Sequence, residues 1–186
     1  ESIGDALKLT GRNFSVSSGR ISFVHGYSGP SMSIDTACSS SIVAVSAASN
    51  LLTSEPLRSV IVGSVLISLS IDVMKFLASA SMISPDGRCR TLDEGAAGYG
   101  RGEASVCMLI ARSPDAPTAI CAVTVNQDGH SASLTAPHGP SQIQVIRRAC
   151  AKAAISPVDV GMHELHGTGT PLGDPIEIFG VSKAHD

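Results

Sequence analysis

Asp35-Thr36-Ala37-Cys38-Ser39-Ser40-Ser41 is the stretch that decides how this chain folds. Just upstream, Ser31-Met32-Ser33-Ile34-Asp35 alternates polar and apolar residues, the period of a short strand. Just downstream, Ser39 to Leu52 is rich in Ala, Val and Ser with small residues nearly all round, which predicts a buried helix. A strand feeding directly into a helix turns through a sharp elbow, and Cys38 stands at that elbow. A thiol at a helix N-terminus feels the positive end of the helix dipole, which favours the reactive thiolate. Strand–turn–helix geometry also presents the side chain outward, as at other nucleophile elbows. An isolated Cys is more often a small buried apolar residue. The elbow alone leaves the two readings balanced.

Outward from the elbow, apolar segments alternate in kind. Phe14 to Val24 reads as a helix carrying Phe14, Ile21, Phe23 and Val24, and Pro30 ends the loop after it. Ser59-Val60-Ile61-Val62-Gly63-Ser64-Val65 is a continuous apolar run, the mark of a strand buried on both faces. Ile71 to Ser81 reads as a helix, Ser84-Pro85-Asp86-Gly87 as a turn, and Asp93 to Gly102 as a glycine-rich loop. Ser105 to Ala111 is a second buried strand, and Pro114 to Pro117 a connector between two halves. Ala119 to Val125 reads as a strand, Ser141 to Ala154 as a helix and Met162 to Leu165 as a short strand. Asp174-Pro175-Ile176-Glu177 opens a last helix, with Asp174 as N-cap and Pro in the first turn. Strands alternating with helices imply an α/β protein.

Composition narrows the function. Of 186 residues, 43% are hydrophobic and 16% charged, so the chain folds around a core. Aromatics are 3% with no Trp, so that core is built from Ala, Val, Ile, Leu and Met. The net charge is -3, and no basic cluster exists to neutralise phosphates, which argues against nucleic-acid binding. No run of about 20 apolar residues is present, so no membrane span is expected. The start at Glu1-Ser2-Ile3-Gly4 shows no targeting signal, and a fragment of a longer chain is expected. The five cysteines, Cys38, Cys89, Cys107, Cys121 and Cys150, are odd in number and widely spaced without a C-x-x-C pair. That pattern argues against a zinc site or a disulfide framework and fits a reducing, intracellular (cytoplasmic) compartment.

A second candidate centre lies in Glu164-Leu165-His166-Gly167-Thr168-Gly169-Thr170-Pro171-Leu172-Gly173-Asp174-Pro175. Here a strand delivers a histidine into a Gly/Thr loop. The glycines let backbone approach a ligand closely, and the hydroxyls of Thr168 and Thr170 are suited to bond a substrate's polar groups. A neutral His166 is suited to stabilise an oxyanion or move a proton. The alternative is a loop histidine that caps a turn. A metal site on His163 and His166 is disfavoured, because residues i and i+3 of a strand face opposite ways. The Gly-x-Gly spacing of 167–169 lacks both the P-loop lysine and the dinucleotide pattern.

Taken together these segments resemble the β-ketoacyl synthases. Asp35 to Ser41 is similar to their active-site elbow, and Glu164 to Thr170 to their first histidine motif. Met82 to Arg90 and Gly98 to Glu103 match between them. Val125-Asn126-Gln127-Asp128-Gly129 and Leu134 to Pro140 resemble the modular polyketide synthase branch more than fatty acid synthases. The resemblance runs in order over essentially the whole chain. It implies a thiolase-like layered αβαβα fold, incomplete at both ends. Residues 1–115 would belong to the N-terminal half with the Cys elbow, and 116–186 would start the C-terminal half with the first His motif. It implies decarboxylative Claisen condensation of an acyl-Cys thioester with a malonyl-type extender. Cys38 would be the nucleophile and His166 one of two histidines that stabilise the enolate oxygen. Thr168 and Thr170 would hold the pantetheine arm, and Asp174 and Glu177 would orient the site and pair with a family lysine. Phe76 aligns with a position lining the acyl pocket, where a core Phe is the alternative. The implied partners are an acyl carrier protein, which carries the phosphopantetheine, and a second ketosynthase copy in a homodimer. No cofactor or metal is expected on this domain itself.

Two residues depart from the family pattern: Leu165 where Ala is usual, and Ser64 where a second Gly is common. The family's downstream Lys and second His are not reached before Asp186, and an isolated 186-residue piece is expected to be inactive. The rival readings are the ketosynthase of a fatty acid synthase, a non-catalytic ketosynthase-like partner, and a Cys–His hydrolase.

Overall fold

The chain packs as two compact units, Glu1–Ala44 and Val45–Asp186. The computed structural model describes residues 8, 10, 11 and 13–186. In the first unit, helix α1 spans Phe14–His25, as its apolar spacing predicts. The Asn13 side chain caps it, accepting from the Ser15 N–H at 3.2 Å, and the chain leaves it through Gly26, whose N–H donates to the Ser22 carbonyl. No residue of α1 is buried: Phe14 is 61% and Phe23 88% exposed.

The strand expected at Ser31–Asp35 does not form; among the described residues the segment pairs with no ladder. Alternation of side chains is a local property, whereas a strand exists only where a second strand takes its backbone groups. The helix after the elbow does form. A 3-10 turn over Ala37–Ser39 leads into α2, Ser40–Ser54. Only Val45, Ala48 and Leu52 of α2 are buried. They sit at i, i+3 and i+7 and make one stripe, not the all-round burial that its small side chains suggest.

The second unit holds β1 (Ser59–Leu66), α3 (Ile71–Ser79) and β2 (Ala104–Ala111). β1 and β2 pair antiparallel from Ser59 opposite Ala111 to Leu66 opposite Ala104. Their apolar runs predict burial on both faces, and the ladder departs from that. Val62 is its one buried residue, while Val65, Val106 and Leu109 are 66%, 54% and 69% exposed. The cause is the absence, among the described elements, of any layer packed on this two-stranded sheet.

Helices α4 (Gly139–Ala153) and α5 (Gly173–His185) pack together, with a 3-10 turn at Pro157–Asp159 against both. Cys150, Gly180 and Ala184 are buried residues of these helices. Arg147 of α4 donates to the Lys183 carbonyl at 2.7 Å and the Ala184 carbonyl at 3.5 Å, where α5 leaves its last carbonyls open. The strands expected at 119–125 and 162–165 are likewise unpaired. The former lies along α4 through side chains: Thr124 donates to the Val145 carbonyl, and Lys152 to the Val123 carbonyl, each at 3.1 Å. Among the described residues no helix is long and apolar enough to cross a membrane.

Candidate functional site

Cys38 belongs to the first unit and His166 to the second. The elbow is held by neighbours. The Asp35 carboxylate accepts from the Ala37 N–H at 3.0 Å. The Thr36 N–H donates to Ser40 Oγ at 2.8 Å, and Ser40 Oγ donates on to the Ala37 carbonyl at 2.7 Å. Ser39 Oγ donates to the Thr36 carbonyl at 2.9 Å. These bonds fix Ala37 at φ +56°, a left-handed conformation that costs a residue with a Cβ about 1–2 kcal/mol. The strained residue stands immediately before Cys38, and Cys38 is exposed in the 3-10 turn that leads into α2.

The cysteines do not divide as their sequence settings suggest. Cys107 and Cys121, in apolar runs, are exposed, because β2 carries no covering layer and 119–125 no partner strand among the described residues. Cys150 is buried between helices, and Cys89 is half-buried with the Gly100 N–H donating to its sulfur at 3.3 Å.

The histidine loop is built differently. Glu177, in the first turns of α5, reaches back with both carboxylate oxygens, accepting the His166 N–H at 2.6 Å and the Gly167 N–H at 2.9 Å. Asp174 is 4% exposed and accepts the Gly169 N–H at 3.0 Å and the Leu92 N–H at 2.8 Å. It is not the N-cap expected from the sequence: α5 begins at Gly173, and Leu172 holds the capping position. The Asp174 carboxylate instead satisfies two amides from separate segments, as a buried charge requires. Thr170 Oγ1 accepts the Gly173 N–H at 3.1 Å and shares a hydrogen bond with Thr168 Oγ1 at 3.1 Å. The His166 side chain is exposed and makes no hydrogen bond among the described residues.

Sequence reasoning missed what holds the other side of this loop, the segment 89–98. The Gly98 N–H donates to the Gly169 carbonyl at 2.9 Å, and the Thr91 hydroxyl donates to the Gly167 carbonyl at 2.5 Å. Gly169, at φ +65°, lies so close to this segment that a Cβ there would run into the Cys89 carbonyl oxygen. The signal in the sequence was Gly169 itself, since so close a backbone approach at a positive φ demands glycine. Phe76 stands apart from these contacts on α3, 71% exposed. His163, disfavoured as a metal ligand by its strand spacing, shares a hydrogen bond with His185 through their Nε2 atoms at 2.7 Å.

Known proteins share this architecture. The family model for the β-ketoacyl synthase N-terminal domain matches residues 2–116, and that for the C-terminal domain matches residues 118–186. A mycoketide-CoA synthase of Mycobacterium tuberculosis is 41% identical over 180 residues, which are 93% of this chain and 4% of that protein. An orsellinic acid synthase of Beauveria bassiana is 38% identical over 187 residues, 97% of this chain and 8% of that protein. Among solved structures, the ketosynthase from module 6 of the bacillaene synthase of Bacillus subtilis 168 superposes with a TM-score of 0.85 at 33% identity, covering 100% of this chain and 35% of that one. The chain thus spans about a third of a solved ketosynthase and a small part of the curated relatives. Its architecture is part of the thiolase-like α/β fold of ketosynthases.

Proposed function

Because this chain belongs to the β-ketoacyl synthase family, we propose that it is part of a polyketide synthase ketosynthase, a condensing acyltransferase whose nucleophile is Cys38. The observation that carries this reading is the exposed Cys38 behind a strained Ala37 at the mouth of α2. In the proposed cycle, an acyl group passes from a carrier thioester to the Cys38 sulfur. A malonyl group on an acyl carrier protein then loses carbon dioxide, leaving an enolate. Its carbon attacks the acyl-Cys carbonyl, the carbon–sulfur bond breaks, and Cys38 leaves as thiolate. Negative charge builds on the malonyl thioester oxygen, and His166 is the donor we assign to it. The fixed backbone of residues 166–169 supports that role, since a donor held in place needs no reorganisation as charge develops.

Thr168 and Thr170 are assigned to the pantetheine arm, whose amides and hydroxyl suit their paired, half-buried hydroxyls. Asp174 and Glu177 are assigned to orienting the loop, and Phe76 to the border of the acyl pocket. The boundary between halves is placed at residues 114–117, with 1–115 and 116–186 on either side; the two family models meet at residue 117. A carrier protein and a second ketosynthase copy are the proposed partners, and the five free thiols support a cytoplasmic setting. A pikromycin polyketide synthase component of Streptomyces venezuelae, 44% identical over 167 residues that are 86% of this chain and 11% of that protein, supports polyketide over fatty acid synthesis.

The test is to treat the intact polypeptide with a thiol-directed condensing-enzyme inhibitor and map the adduct. Cys38 is expected to carry it and Cys38→Ala to abolish acyl uptake. Cys107 and Cys121 are exposed too and serve as internal controls. Equal labelling of the three would refute the assignment.

A further inference from the structure

The polar backbone groups around His166 have identifiable holders. The His166 and Gly167 amides go to Glu177, the Gly169 amide to Asp174 and the Gly169 carbonyl to the Gly98 amide. The Gly167 carbonyl goes to the Thr91 hydroxyl at 2.5 Å, across 76 positions of sequence. Of these holders Thr91 alone acts on the peptide that follows Gly167. Gly167 sits at φ +55° with no Cβ to restrict that peptide. A Cβ there would lie 3.0 Å from Thr91 Cγ2, so methyl and hydroxyl of Thr91 both bear on the same residue.

Resting on the function proposed above, we infer that Thr91 is a positioning residue of the condensing reaction. Its hydroxyl pins the Gly167 carbonyl, and through that peptide it sets the aim of the His166 ring and the placement of the Thr168 hydroxyl. Thr91 touches no reacting atom. Its own segment is anchored twice just beyond it, by the Leu92 amide on Asp174 and by the Gly98 amide on the Gly169 carbonyl. Loss of the Thr91 hydroxyl therefore leaves the two segments joined and releases only the peptide between Gly167 and Thr168, one residue beyond His166.

The experiment compares Thr91→Val, Thr91→Ser and His166→Ala in the intact polypeptide. Single-turnover acylation of Cys38 and carbon dioxide release from a malonyl carrier thioester are measured separately, together with the melting temperature. Thr91→Val is expected to slow carbon dioxide release about five- to tenfold, the usual scale for one hydrogen bond. Acylation should stay within about twofold, and Thr91→Ser, which keeps the hydroxyl, should restore release. Unchanged release in Thr91→Val overturns the inference. So does an equal fall in both steps with a lowered melting temperature and no rescue by Ser, which marks a purely structural residue. If His166→Ala leaves release intact, the role of His166 falls and that of Thr91 with it. If His166→Ala abolishes release while Thr91→Val does nothing, only the inference about Thr91 falls.

Discussion

The Cys38 elbow and the His166 loop present one exposed side chain each, and they are stabilised in opposite ways. Every elbow bond described above joins residues no more than four apart, and its strain is confined to Ala37. The His166 loop is held from one side by Glu177 and Asp174, 11 and 5 positions away from the amides they accept. From the other side it is held by Thr91, 76 positions away. A self-contained turn is specified by a short word of sequence and survives changes elsewhere. A loop clamped between two segments is only as well placed as both of them, and in exchange its backbone is fixed more completely.

Substitution at Gly169 should break this comparison most severely. Gly169→Ala forces a Cβ onto the Cys89 carbonyl and an L-residue into φ +65°. We expect a loss of at least about 3 kcal/mol in unfolding free energy, or failure of the two segments to join. The rate at which iodoacetamide alkylates Cys38 should stay within about twofold wherever the protein still folds. Denaturant melts and the alkylation rate check this together. A fall in Cys38 reactivity matching the loss of stability would show the two regions to be one cooperative unit.

The elbow offers a gentler change. Ala37→Gly removes the Cβ that makes φ +56° costly while also loosening the unfolded chain, so the two effects oppose each other. The net change expected is a gain of no more than about 1 kcal/mol, read from the denaturant midpoint. A destabilisation above that size would mean the Ala37 methyl packs usefully and the elbow is less self-contained than its hydrogen bonds imply.

The smallest effect belongs to the turn that leads into the segment 89–98. The Ser84 hydroxyl, and after it the Arg88 N–H, hold the Asp86 carboxyl below its usual 3.8. Arg90 adds an exposed ion pair of little weight. A carboxyl whose folded value is lowered stabilises the fold fully above the unfolded value near 3.8, and that contribution fades as pH falls through the lower folded value. Asp86→Asn should therefore flatten the acid limb of the stability profile below about pH 4 and bring its stability closer to the native protein's at the acid end. Parallel acid titrations by circular dichroism would reveal a difference confined to that limb. A difference that persists unchanged into acid would show that Asp86 acts by shape and not by charge.

The same contrast explains what the sequence disclosed. The elbow was legible because its signals are neighbours: a helix-forming run beginning at Ser39, and a cysteine placed just before it. His166 was legible as a motif, but its support was not, since nothing local connects Thr91 to Gly167 or Leu92 to Asp174. Asp174 was misplaced as an N-cap for that reason. Asp before Pro at a helix start is what a cap looks like, and only the fold reveals that its carboxylate has buried amides to serve. The runs at 31–35, 119–125 and 162–165 carry strand composition without a paired ladder. β1 and β2 have the composition of a covered sheet without a cover among the described elements. Composition records the environment a segment is suited to, while pairing depends on which other segments are present.

That uncovered ladder has a thermodynamic consequence. Unfolding raises heat capacity in proportion to the apolar surface newly wetted, about 12–15 cal/mol/K per residue for an ordinary domain. With Val65, Val106 and Leu109 already facing water, and no large side chain among the described residues fully enclosed, this chain wets little new apolar surface when it opens. Calorimetry on these residues alone is accordingly expected to read a heat-capacity step below that range.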